Sequence, residues 1–276
     1  MHTILITGAS TGIGRATALR LDRAGWRVVA TVRRGTDGAA LAADSSDRLR
    51  VCYLDVTEAT CIAEMAEEVE GLVGAEGLAG LVNNAGIVEA GPLECLPLDG
   101  LRRQFEVNVV GQVAVTQALL PVLRRARGRI VNVGSIGGVS ALPFAGAYCA
   151  SKFALEAVTD ALRMELKAAG VEVVLVQPGS IATPIWEKGA GQAVPPAAEA
   201  HYGPQLTAMK AVVRATATTG LPPEAVAEVI HRALTARRPK TRYRVGRMAH
   251  VRLMLQRLLP DRLRDRVLLR RLTGSA

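Results

Sequence analysis

A chain of 276 residues, 49% of them apolar, is long enough for one large α/β domain or two small ones, with a core of Ala, Val, Leu and Ile because aromatics make up only 3%. No apolar run approaches the roughly 20 residues of a spanning helix, and "MHTILITG" reads directly as a strand, so neither a membrane span nor a cleavable signal is expected. The net charge of +9 is uneven: of 34 basic and 25 acidic residues, segment 237–276 holds 13 and 2, a net of +11, leaving −2 for the rest, so the tail is basic while the body is not, and no nucleic-acid partner is expected.

The first run, "TILITG" at 3–8, is a short β-branched strand ending at glycine. "RATALRLDRAG" at 15–25 has helical spacing and a glycine stop, and "WRVVATV" at 26–32 is again a strand. This βαβ opening repeats: a strand at 49–54, a helix at 58–73, a fourth strand in "GLAGLVNNAG", and a long helix at 101–125. A fifth strand, "GRIVNVGS", a helix carrying Tyr148 and Lys152, and a sixth strand at 171–179 follow. A helix at 222–236 and a short strand, "TRYRVG", complete the pattern. Strands apolar on both faces, alternating with helices, predict one parallel α/β sheet covered by helices on both faces. The stretch 189–220 is rich in Ala, Pro and Gly with weak periodicity, which predicts a loop-like lid near 183–220.

Residues 247–276 read as a basic helical extension. Val251, Met254, Leu255, Leu258 and Leu259 recur at i, i+3, i+4, i+7 and i+8, one helical face. Pro260 breaks it, and "DRLRDRVLLRRL" starts a second helix with Asp261 placed to cap it. Two readings stay open: peripheral, salt-sensitive contact with an anionic membrane, or packing over a cleft or a neighbouring subunit.

"TGASTGIG" sets Gly8, Gly12 and Gly14 between the first strand and helix, where tight turning lets a pyrophosphate approach the unpaired N–H groups of the helix. An acid about 20 positions on would bind the ribose hydroxyl of NAD. This sequence has Val32, Arg33 and Arg34 there instead, and guanidiniums suit the 2′-phosphate of NADP, so NADP(H) is expected ahead of NAD. In "YCASK", Tyr148 and Lys152 lie four apart on one helix face. A nearby ammonium favours phenolate, so the pair is expected to have a depressed phenol pKa and to move a proton on and off an alcohol oxygen. Cys52, Cys61, Cys95 and Cys149 have neither metal nor disulfide spacing and read as reduced thiols of a cytoplasmic protein, and His2, His201, His231 and His250 are scattered, so no metal is expected.

Taken in order, "TGASTGIG", "LDV" with Asp55, "NNAG" at 83–86, Asn108, Ser135, Tyr148-x-x-x-Lys152 and "PG" at 178–179 resemble the short-chain dehydrogenase/reductase family over roughly residues 3–186. "GWRVVATVRR" and "VNVGSIGG" look most like the branch with hydroxysteroid and retinol dehydrogenases. The resemblance implies a single Rossmann-type domain over residues 1–246, a doubly wound parallel α/β sheet with helices on both faces, and a catalytic tetrad of Asn108, Ser135, Tyr148 and Lys152, with Lys152 also binding the nicotinamide ribose and Asn108 ordering a water. It implies cofactor contacts from Gly8, Ser10, Thr11, Gly12, Ile13 and Gly14, from Arg33 and Arg34, from Asp55 and Val56 at the adenine, from Asn83, Ala85 and Gly86, and from Pro178, Gly179, Ile181 and Thr183. Thr11 stands where some NADP-using members carry a basic residue, so the NADP expectation rests on the two arginines. Leu142, Phe144, Ile185, Trp186 and Met209 fall where relatives line the substrate cleft, implying a lipophilic alcohol or ketone as substrate. A 3-oxoacyl thioester reductase and a non-catalytic dinucleotide sensor are the alternatives, the sensor having no need of an intact tetrad. A homodimer or homotetramer paired through the two long helices is also implied.

Overall fold

The strands are apolar on both faces because both faces are covered. The computed structural model describes residues 2–190 and 196–273. Its sheet is built from β1 (Thr3–Ile6), β2 (Arg27–Val32), β3 (Leu49–Tyr53), β4 (Gly80–Asn83), β5 (Arg129–Val133), β6 (Glu172–Pro178) and β7 (Arg242–Val245). All pairings are parallel, in the order 3-2-1-4-5-6-7. Side chains alternate between faces with period two. Ile4, Ile6, Val28, Val131 and Val174 face one layer with Leu19 and Ile230, while Leu5, Val29, Ile130 and Val173 face the other with Met65, Val115 and Leu119. Ile4, Leu5 and Ile6 are completely buried, and each such side chain contributes roughly 1.5–3 kcal/mol.

The first layer holds α1 (Gly12–Arg23) and α9 (Pro223–Thr235), with α2 (Gly35–Ala43) beside β3. The second holds α3 (Ala59–Val73) and the paired α4 (Leu98–Phe105) and α5 (Gly111–Ala126), with α6 (Gly146–Glu165) beside β6. A π-helical turn, Glu106–Val110, joins α4 to α5 and carries Asn108. By length and composition, Leu98–Ala126 could cross a membrane, contrary to the expectation from the bare sequence, but half of it is buried inside the fold, as for a core helix. The strand order reverses between β1 and β4, and their carboxyl ends open a crevice there.

The region expected as a loop-like lid is helical instead. After α7 (Ile185–Ala190), α8 runs Pro196–Thr219 with Pro204 inside it; residues 191–195 lie outside the described set. Ala is the strongest helix former, so an Ala-rich sequence makes a helix without a sharp apolar stripe. The tail forms α10 (Arg247–Leu258) and α11 (Asp261–Thr273) as expected, but with another face inward. Ala249 and Leu253 pack on Ile136 and Val139, whereas Val251, Met254 and Leu258 are exposed. The side chain of Leu255 lies outside the described set. Arg242 binds Glu156 at 3.0 Å and Asp160 at 2.6 Å, fastening β7 to α6.

Candidate active site

A cavity of about 660 Å³ runs along the carboxyl ends of the strands. In sheet order its wall passes Asp55 and Val56 beyond β3, Arg33 beyond β2, and Gly8, Ser10, Thr11, Gly12 and Ile13 beyond β1. It continues through Asn84, Ala85 and Gly86 beyond β4, Ser135 beyond β5, and Pro178, Gly179, Ile181 and Thr183 beyond β6, with Tyr148 and Lys152 rising from α6.

The glycine loop is shaped by its backbone. Gly8 and Gly12 have φ of 67° and 56°, and a Cβ on Gly12 would sit 3.1 Å from Thr183 Cγ2. Thr11, at the N-terminus of α1, makes no side-chain cap, so the first-turn N–H groups are left for a ligand. A bare, positively polarised helix end facing this crevice fits a dinucleotide pyrophosphate. Beside it, burial acts to raise the Asp55 carboxyl, but the hydrogen bonds from Thr57 N and Oγ1, at 3.0 and 2.7 Å, and the Arg33 charge hold it below the usual carboxylate range.

At the other end, Tyr148, Ser151 and Lys152 fall on the buried face of α6. Ser135 Oγ accepts from Gly137 N at 3.0 Å, which aims its own hydrogen elsewhere, and the hydroxyl bonds Tyr148. Lys152 Nζ donates to Val133 O at 2.8 Å and lies 5.9 Å from the Tyr148 ring centroid. Burial pushes the Tyr148 phenol up to about 12, against the lowering hydrogen bond of Ser135. Burial also lowers the Lys152 ammonium to about 8. The expectation of a depressed phenol pKa is therefore reversed here: desolvation is the largest cause, and the ammonium nitrogen is tied to the Val133 carbonyl. A phenol in this state keeps its proton at neutral pH but is a weaker acid than a free tyrosine, further from the working pH that suits a general acid. Asn108 Oδ1 accepts from Ile87 N at 2.9 Å, and its Nδ2 donates to Ile87 O and Ser151 Oγ, each at 3.1 Å. Both its N–H groups are spent bracing the loop after β4 against α6, and Asn108, fully buried, is not part of the cavity wall.

Three expected cofactor residues stay outside the cavity wall. Asn83 is 1% exposed and donates to Thr116 and Asn132 inside the framework. Gly14 lies against Gly8 O and the Asn84 amide, where a Cβ would not fit. Arg34 is exposed at the start of α2. Of the expected substrate residues, Leu142, Ile185, Trp186 and Met209 line the chamber, and Trp186 meets Tyr148 edge-on at 5.1 Å. Phe144 packs on Tyr202 instead, at 5.7 Å. Val212, Val213 and Thr216 of α8 and Leu259, Arg264, Val267 and Leu268 of the tail also line it. The i, i+3 and i+4 spacing of Arg264, Val267 and Leu268 is a signal in the sequence that could have found three of the four tail residues. Among the described residues no cluster of His, Cys, Asp and Glu could hold a metal.

Residues 2–192 match the family model described as short chain dehydrogenase. The chain is 36% identical over 272 residues to the NADPH-dependent 3-dehydrocapnine reductase of Ornithobacterium rhinotracheale, covering 97% of this chain and 96% of that one. It is 39% identical over 277 residues to mouse (Mus musculus) retinol dehydrogenase 5, covering 96% and 87%. Among solved structures, a short-chain dehydrogenase from Streptomyces avermitilis superposes with a TM-score of 0.80 at 31% identity, covering 98% and 96%.

Proposed function

The chain belongs to the short-chain dehydrogenase family, and from that we propose that it interconverts an alcohol and a carbonyl on a lipophilic substrate with NADP(H) as its cofactor. The observation that carries this reading is the Tyr148–Ser135 pair, set over Lys152 at the inner end of an apolar chamber. When bound, the nicotinamide supplies or accepts the hydride. Gly8 to Ile13 and the α1 N-terminus would hold its pyrophosphate, Asp55 and Val56 the adenine, Arg33 the 2′-phosphate, and Ile181 and Thr183 the nicotinamide end. Arg33 supports NADP(H) over NAD, and the reductase relative is named as NADPH-dependent.

In the reducing direction Ser135 fixes the substrate oxygen and Tyr148 gives it a proton. With burial holding the phenol near 12, the proton is in place at neutral pH. Lys152, held by Val133 O, supplies positive charge beneath the phenolate left behind. In the oxidising direction Tyr148 must first lose its proton, which burial opposes. Leu142, Ile185, Trp186 and Met209 keep water from the reacting carbon and favour an apolar substrate body.

The same reading places the enzyme in the cytoplasm as a homodimer or homotetramer paired through the α4–α5 and α6 helices, where Val110, Phe153 and Met164 are exposed. It also gives the tail a reversible contact with anionic bilayers, through the exposed Val251, Met254 and Leu258 and the exposed Arg262, Arg266 and Arg270 of α11. Co-sedimentation with anionic but not neutral vesicles, lost at high salt, checks that contact. The activity is tested by NADPH oxidation against a panel of apolar ketones, aldehydes and a 3-oxoacyl thioester. Turnover of one or more apolar ketones or aldehydes is expected, and its absence across the panel at saturating NADPH would overturn the reading.

A further inference from the structure

The C-terminal helix is part of the chamber. Arg264, Val267 and Leu268 lie at i, i+3 and i+4, one face of α11, and this face lines the cavity opposite Met209 and Val212 of α8. The wall there is apolar except for Thr216 of α8 and Arg264, the one charged group among its described residues, whose side chain is 22% exposed. Its partners are Asp261 at 3.0 Å and Asp265 at 3.8 Å, with side chains 83% and 59% exposed. Ion pairs to such solvated carboxylates are weak and readily exchanged. An anion arriving through the chamber would meet the same guanidinium fork away from bulk water, where charge-assisted hydrogen bonds gain strength. The other cations of the cavity wall have partners or tasks of their own. Arg33 faces Asp55 at the adenine end, Arg103 is bonded to Glu89, and Lys152 is held beside Tyr148.

We propose that Arg264 binds the anionic head group of an amphiphilic substrate, a carboxylate or phosphomonoester on an apolar chain, while the carbonyl or alcohol sits at Tyr148. This rests on the lipophilic-substrate reading and narrows it: the far end of the substrate is charged, and the basic tail is a specificity element.

The test is calorimetric titration of the full-length, NADPH-loaded protein, which cannot turn over any of these ligands, with decanoate, decyl phosphate and decan-1-ol below their aggregation limits, for the unmodified chain, Arg264→Gln and Arg264→Lys. One or both anions are expected to bind about tenfold more tightly than the alcohol, as for a hydrogen bond to a charged group. Arg264→Gln is expected to abolish that preference and Arg264→Lys to retain most of it. The stronger of the two anions identifies the head group. Equal affinity for all three ligands, no binding by any of them, or an undiminished preference in Arg264→Gln would overturn the proposal. So would a loss of NADPH affinity in Arg264→Gln that matches its loss of anion affinity, since the guanidinium would then serve the cofactor. The titration needs no turnover, so failure of the ketone panel would sink the oxidoreductase reading and leave this binding result to stand on its own.

Discussion

Replacing Asn83 by alanine separates a framework role from a cofactor role. Asn83 Nδ2 donates to Thr116 Oγ1 and to Asn132 Oδ1, each at 2.9 Å, and Asn132 Nδ2 passes the chain on to Thr159 Oγ1 at 2.8 Å. The two threonines bond back to Gln112 O and Leu155 O in their own helices. Four buried side chains thus stitch α5, β4, β5 and α6 together, next to strand ends that carry the site. Alanine removes two hydrogen bonds, each worth about 0.5–1.5 kcal/mol, and strands the Asn132 oxygen in a dry interior, which raises the loss to about 2–4 kcal/mol. Among the described residues Asn83 Oδ1 has no partner to lose. Urea unfolding of the full-length variant reads the stability, and NADPH fluorescence reads the affinity. The expected result is that loss of stability with NADPH affinity changed by less than about twofold, since the cavity contacts come from its neighbours. A loss below about 0.5 kcal/mol would refute the hydrogen-bond argument. A collapse of NADPH affinity with stability intact would return Asn83 to the cofactor.

Arg33→Asp is expected to reverse the order of NADPH and NADH dissociation constants, because a carboxylate repels a 2′-phosphate and accepts from a 2′-hydroxyl; tighter NADH binding by the unmodified chain would contradict this. Lys152→Met tests the buried ammonium through pH. With the folded value at about 8 and the ordinary one at 10.5, the unfolded chain holds the proton more tightly between them, so this lysine makes stability rise with pH through that window. Below about 8 the whole penalty of the buried charge is present. The stability of Lys152→Met relative to the unmodified chain is therefore expected to fall across the window by up to about 3 kcal/mol, and a flat difference in urea unfolding would show the ammonium to be well solvated.

The fold was legible because its signals are local. Each strand is a short β-branched run between helices, and the glycines sit where β1 turns into α1. The site was legible as an ordered set: Ser135, Tyr148 and Lys152 do meet, and Arg33, Asp55 and Thr183 share their cavity. Other features depend on packing that spacing does not encode. In α2, "GTDGAALAA" has small residues and little amphipathic pattern, and it was not foreseen as a helix. Residues of α8 were misread for the same reason. On α10 the most apolar stripe is not the buried one, because the close approach to Gly179 suits small Ala249. Asn83 and Asn84 are indistinguishable by motif, yet Asn83 bonds Thr116 and Asn132 in the framework, while Asn84, just past β4, donates to the Thr7 and Gly8 carbonyls under the glycine loop and borders the cavity. The sign of the Tyr148 shift was also hidden, because it turns on how completely the ring is buried.

The central claim is that Tyr148 moves the proton. Tyr148→Phe keeps the ring against Trp186 and removes the hydroxyl bonded to Ser135. The direct measurement is single-turnover reduction of the best ketone of the panel by NADPH, with NADPH affinity measured on the same sample. The account predicts a rate lower by about 10²–10⁴-fold with affinity nearly unchanged. A variant that keeps more than half of the single-turnover rate would contradict it.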